Sequence, residues 1–259
     1  MSPRRAALLS MSVVALAAAA SGARQHPVVR ERRRVVVGAD TEEWRLEWTN
    51  PPHEVCSPDT EQPEPFSRPC WGFAFGEEGS LALVRRPAHG SDQRMVLDQY
   101  FDETPDGLAV LQRWPTLDSD YLHVPDSSFA RQVRRRPIVT IMRFGDYDHD
   151  GRPTEFLVHT SGYGSDMLVG ISTGKPVLHA FGTALHPDSV LFLGRNEWAE
   201  LLYSRDGHVT TLHLSCGDHG SEEEDDIELR TASDGIHATE YVYECGPTSR
   251  GKLTSKREF

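Results

Sequence analysis

A mainly β fold is predicted by three features of this 259-residue chain. Short runs either alternate apolar and polar side chains or are rich in Val, Ile, Thr and aromatic residues, the patterns of half-buried and buried strands. Asp-Gly pairs at 106–107, 206–207 and 234–235 offer turn residues that accept positive φ. One segment after the N-terminal region, residues 196–203, has convincing helical spacing, with Trp198, Leu201 and Leu202 on a shared face and Asn196 placed to cap it. Many short antiparallel strands between such turns suit a sandwich, a barrel or propeller blades.

The N-terminus carries an export signature. Arg4 and Arg5 precede an Ala-rich apolar run over 6–20, and Ser21, Gly22 and Ala23 provide small residues for cleavage. The run is too short and Ala-rich for a membrane span, which needs about 20 strongly apolar residues. Residues 1–23 are therefore expected to be a signal peptide, and the mature protein to be secreted or periplasmic, with no integral membrane segment. Removing 23 of the 259 residues leaves 236 for a single mainly β domain over 24–259.

Strands are expected along this domain in order. Trp44, Leu46 and Trp48 alternate with polar residues and share one face. After a Pro-rich loop containing Cys56 and Cys70 come runs at 71–75 and 81–84, with a Gly turn between them. Further strands are expected at 95–101 and 108–114, followed by a long connection over 115–136. Residues 137–144 and 155–160 are β-branched and apolar, and flank an acidic loop. Residues 167–171 and 176–181 make a hairpin around 172–174. The segment from Val209 to Cys216 follows the Asp206-Gly207 turn, and 227–231 pairs with 236–245 across Asp234-Gly235. The polar, basic tail from Gly246 is expected to fray.

The acidic loop is the most informative stretch. Asp146, Asp148 and Asp150 alternate, and Gly151 follows directly. At an effective dielectric of ~20, two such charges a few ångströms apart repel by about 3–4 kcal/mol. A hard divalent cation converts that repulsion into attraction, and calcium takes six to eight oxygens from loops of this kind. Gly151 suits the sharp turn around the ion, and the Arg152 carbonyl falls where a backbone oxygen is normally supplied. A helix-loop-helix calcium site would carry a bidentate Glu at the twelfth position. Here that residue is Leu157, and Glu155 comes two residues early.

An Asp-x-Asp-x-Asp-Gly loop between two strands, with Phe144-Gly145 directly before it, resembles the FG-GAP/VCBS-type repeat over residues 137–160. The resemblance implies calcium bound by Asp146, Asp148, Asp150, the Arg152 carbonyl and Glu155. It also implies blade-like sheets, favouring a propeller-like arrangement over an irregular β-sandwich. That family usually closes the loop with Asp at the ninth position, where this chain has Thr154, so the longer Glu155 is expected to compensate. The loop occurs once in the chain, without a clean internal repeat.

The formal charge is −12, and −14 once Arg4 and Arg5 are removed. Such acidity argues against nucleic acid or an anionic membrane as partner. The basic clusters at 30–34 and 134–136 read as solvated flanks, and the acidic run 221–226 as a solvated loop. Four cysteines in an exported chain are expected to form disulfides, Cys56 with Cys70 and Cys216 with Cys245 being the most local pairing. A rival arrangement takes His213, Cys216 and His219 as transition-metal ligands. His-Glu-x-x-His and phosphate-loop motifs are absent from the sequence, and His159, His179 and His186 read as structural groups. The expected function is a non-catalytic, disulfide-stabilised calcium domain that binds a protein or a glycan. A secreted hydrolase with structural calcium is the alternative.

Overall fold

The computed structural model describes residues 26–59, 74–101, 107–124, 126–161, 164–246 and 250–259. The expected signal peptide, the 71–73 part of one expected strand, and Cys70 lie outside these residues. The fold is mainly β, built from several antiparallel sheets, none closed into a barrel. Strands β1 (Val28–Val37), β2 (Asp40–Trp48), β5 (Leu81–Arg86) and β6 (Gln93–Val96) form the first sheet in the order β1-β2-β5-β6. Strands β3 (His53–Val55), β4 (Gly76–Gly79) and β7 (Ala109–Gln112) form a smaller one. In the third, β8 (Glu155–His159), β10 (His179–Ala180) and β11 (Phe192–Gly194) all pair with β9 (Ser165–Gly170). The fourth is a meander of β12 (His208–Leu214), β13 (Glu223–Ala232), β14 (Gly235–Cys245) and β15 (Arg250–Glu258).

Burial places the third sheet at the centre. One of its faces presents Phe156, Val158, Met167 and Val169 to the Trp44, Leu46 and Trp48 face of the first sheet. On the other side Leu168 packs with Trp198 and Leu201 of helix α2 (Arg195–Tyr203) and with Ile227, Leu229, Ile236 and Ala238 of the fourth sheet. Met167, Leu168 and Val169 are each fully buried, so β9 reads as a continuous apolar run rather than an alternating one. Trp44 packs edge-on against Phe144, and Phe144 against Phe156, carrying the first core to the base of the acidic loop.

Several local expectations are corrected. Residues 137–144 form no strand. Pro137 lacks an amide hydrogen, and the Glu31 carboxylate takes the amides of Ile141 and Met142 at 2.7 and 3.3 Å. The glycine turn expected before Leu81 is strand β4, whose Glu77 is buried and pairs with Arg30. The 95–101 run is strand only to Val96, and a short 3-10 turn covers Asp98–Tyr100. The long connection contains helix α1 (Ser127–Val133), capped by Asp126 accepting from Ser128 and Phe129 amides at 2.8 Å. Phe129 and Val133 of this helix bury against Phe75 and Trp114. Asn196 does not cap α2: the preceding Gly194 is the cap residue, and Asn196 lies inside the helix.

Ionic pairing explains the remaining differences. Arg136 is not a solvated flank but grips buried Asp120 through two 2.6 Å bonds. The 221–226 run opens strand β13, where buried Asp226 receives both arms of Arg250 at 2.5 and 2.8 Å. That fork anchors the start of β15, so the tail is ordered as a strand instead of fraying. Cys216 and Cys245 form a disulfide with their Cα atoms 5.7 Å apart.

Candidate metal centre

The acidic loop is pinched at its base. Gly145 and Glu155 exchange backbone hydrogen bonds of 2.8 and 3.3 Å, an isolated antiparallel bridge that returns the chain at the start of β8. Gly145 packs closely there: a Cβ would sit 2.8 Å from the Leu202 side chain and 2.9 Å from the Tyr147 ring, so those side chains would have to shift. His149 (φ 56) and Gly151 (φ 88) give the loop its two left-handed residues. On the outer side, His149 Nε2 lies 2.8 Å from the Leu201 carbonyl at the end of α2, and Tyr147 packs edge-on against Trp198. Ser204 Oγ lies 3.4 Å from the same His149 nitrogen but donates to the Leu201 carbonyl at 2.8 Å. This serine–histidine contact therefore tethers the loop to a helix end.

The pinched loop brings together Asp146, Asp148 and Glu155. One carboxylate oxygen from each lies within 4.8 Å of the others. Two oxygens that each contact one ion at ~2.4 Å can be at most about 4.8 Å apart, so the spacing fits a shared cation. Asp146 Oδ2 accepts from the Gly151 amide at 3.1 Å, while its Oδ1 is buried without a hydrogen-bond partner. Asp148 Oδ1 accepts from the Asp150 amide at 3.1 Å. Glu155 is fully buried, accepts from the Tyr147 amide at 3.0 Å through Oε2, and touches Thr154 Oγ1 at 2.5 Å through Oε1. The Thr154 hydroxyl also reaches the Ile171 carbonyl at 2.9 Å.

Asp150, expected beside them, lies outside the trio. Asp150 Oδ1 accepts from the Arg152 amide at 2.9 Å, and Oδ2 accepts from the amide and hydroxyl of Thr173 at 2.6 and 2.7 Å. It thereby ties the loop to the β9–β10 turn. The Arg152 carbonyl accepts from the Thr154 amide at 2.9 Å. Thr173 is a participant that sequence reasoning missed, its only trace being the turn expected at 172–174. Gly170 is another. A Cβ there would meet the Thr154 carbonyl at 2.4 Å and Glu155 Cα at 2.8 Å, so only glycine lets β9 pass this close to the loop.

Burial and mutual repulsion set the electrostatics. Burial, reinforced by the Asp150 charge, pushes the Asp148 carboxyl up to about 6. Burial, then the Asp148 charge, raises Glu155 to about 9. Without a cation, Glu155 is protonated at neutral pH. Its 2.5 Å contact then fits a carboxyl proton donated to Thr154 Oγ1, whose own proton goes to the Ile171 carbonyl. An oxygen-only site with raised carboxyl pKa values is suited to holding a hard cation, which would replace the proton on Glu155 and supply the partner that Asp146 Oδ1 lacks.

The other candidate groups have structural partners. Cys216 is in a disulfide and cannot act as a thiolate, which removes the transition-metal arrangement with His213 and His219. His213 Nδ1 pairs with buried Glu197 at 3.0 Å, which raises the imidazole pKa and lowers that of Glu197. His159 Nδ1 pairs with buried Asp166 at 3.0 Å, and Arg195 approaches the same carboxylate at 3.3 Å. His179 meets the Val177 carbonyl at 2.9 Å, and burial lowers its pKa. Among the described residues no helix is long and apolar enough to cross a membrane. Comparison with known protein families, with curated proteins and with solved structures gave no match.

Proposed function

We propose that this protein is an exported β domain whose acidic loop holds calcium, and that its role is to bind a partner rather than to catalyse a reaction. One observation carries the proposal: three carboxylates converge within 4.8 Å, one of them fully buried and another with a buried, unpartnered oxygen. Such an arrangement is costly without a cation. Calcium suits it better than magnesium, because an irregular loop of carboxylates and carbonyls tolerates the larger ion's six to eight ligands and fits a strict octahedron poorly. Asp146, Asp148 and Glu155 furnish the carboxylates. Asp150 and the Arg152 carbonyl, each with lone-pair capacity to spare, remain the further ligands that the loop's likeness implies. The likeness of residues 137–160 to an FG-GAP/VCBS-type loop agrees with this choice, and the Cys216–Cys245 disulfide agrees with an oxidising compartment outside the cytoplasm.

Titration calorimetry and thermal melting test the proposal. Calcium should bind with Kd of roughly 10⁻⁴–10⁻³ M, as extracellular modules do. At tenfold excess over Kd it should add about 1.4 kcal/mol of stability. Magnesium should do less, and Asp148→Ala should abolish the response. Absence of a calcium heat up to several times 10⁻³ M, well above that range, would defeat the assignment. Export is tested separately, by sequencing the N-terminus of the mature protein, which should begin at Arg24.

A further inference from the structure

Strand β12 shifts register against β13 between Leu212 and Leu214, which leaves His213 as an extra residue at a bulge. Bulges re-aim side chains, and this one sends the His213 imidazole to the first turn of α2, where Nδ1 lies 3.0 Å from Glu197 Oε1. Glu197 is buried, and its carboxylate folds back over Gly194, where a Cβ would collide with it. Two further carboxylates face the imidazole. Asp225 of β13 has a buried Oδ1 without a hydrogen-bond partner, and Glu240 of β14 is paired with Arg257 of β15 at 3.2 Å. Asp166 adds negative charge behind Glu197, but is itself held by His159 and Arg195. His213 is therefore the cation that acts on both Glu197 and Asp225. Its side chain is 46% exposed, so solvent protons reach it.

We infer that His213 is a proton-operated clamp between α2 and the fourth sheet, tight when the imidazole is charged and loosened when it is neutral. The imidazolium answers the Glu197 carboxylate on the helix and the Asp225 and Glu240 charges on the sheet. A neutral ring keeps one hydrogen bond to Glu197 and leaves the Asp225 charge unanswered. The hydrogen bond to Glu197, with the neighbouring carboxylates, outweighs burial and raises the imidazole pKa above its ordinary 6.5. Such a group stabilises the fold fully below 6.5, and that contribution is lost as pH rises through the folded value. The clamp does not rest on the calcium assignment, since none of its groups belongs to the acidic trio.

An NMR titration of the imidazole protons tests the inference on the full chain in EDTA, with His213 assigned by the signal that His213→Gln removes. Its midpoint should lie above 6.5, and the amide signals of Glu197 and Trp198 should titrate with the same midpoint. Glu197→Gln should move that midpoint down toward the ordinary value. Should that variant not fold, Asp225→Asn, on the sheet side, should move it the same way. Urea unfolding at pH 6 and 8.5 reads the clamp itself. The native protein should lose more stability than His213→Gln, by about two- to fivefold in the equilibrium constant, as suits a half-exposed ion pair. Comparing these two proteins cancels the titration of Glu155 and Asp148, which they share. A His213 midpoint at or below 6.5, a midpoint that neither carboxylate substitution moves, or equal pH dependence in the two proteins would overturn the inference.

Discussion

Calcium should compete with a proton at Glu155. In the metal-free protein Glu155 titrates near 9 and Asp148 near 6. At pH 7 Glu155 is therefore protonated, while Asp148 is mostly ionised. Binding must expel close to one proton, so log affinity should rise by about one per pH unit between Asp148's value and Glu155's. From pH 6.5 to 8.5 that amounts to roughly 100-fold, about 2.7 kcal/mol. The stability of the metal-free protein runs the other way. A carboxyl whose folded pKa is raised favours folding most when protonated in both states, and that advantage is lost as pH rises from the ordinary value of 4.5 toward 9. In EDTA the melting temperature should therefore fall between pH 6.5 and 8.5, and the gain on adding calcium should grow. Calorimetry in two buffers of different ionisation enthalpy measures the proton directly. A calcium Kd constant within about threefold across this range, with no proton released, would refute the buried position of Glu155 as a ligand.

Further outcomes follow from neighbouring contacts. Glu155→Gln keeps the acceptor for the Tyr147 amide and can donate to Thr154, so it should abolish calcium binding while raising the metal-free melting temperature at pH 8.5. Gly170→Ala drives a methyl group into the Thr154 carbonyl and Glu155, and should destabilise the fold by about 1–3 kcal/mol and weaken calcium binding; urea unfolding with parallel calorimetry checks both. Cys216→Ser with Cys245→Ser opens a loop spanning 29 positions, and should cost about 3.7 kcal/mol in urea unfolding by the loop-closure model.

What the sequence determined by itself was whatever depends on near neighbours. Alternation placed Trp44, Leu46 and Trp48 on one buried face, and Asp234-Gly235 marked the turn of the β13–β14 hairpin. The Asp146–Asp148 pair and the glycine at 151 announced a tight acidic loop, since turn chemistry and charge spacing are set within a few residues. Tertiary structure decided which groups meet. Glu155 joins the trio and Asp150 stays outside it, because the Gly145–Glu155 bridge folds the end of the loop inward while Thr173 draws Asp150 toward the next turn. Residues 137–144 have the composition of a strand but pair with none, since Glu31, 110 residues away from Ile141, takes the amide a ladder would have used. The basic tail becomes β15 because Asp226 offers Arg250 a buried fork. Spacing encodes period and turn, whereas a hydrogen-bond donor's choice among distant acceptors is fixed only once the sheets have packed.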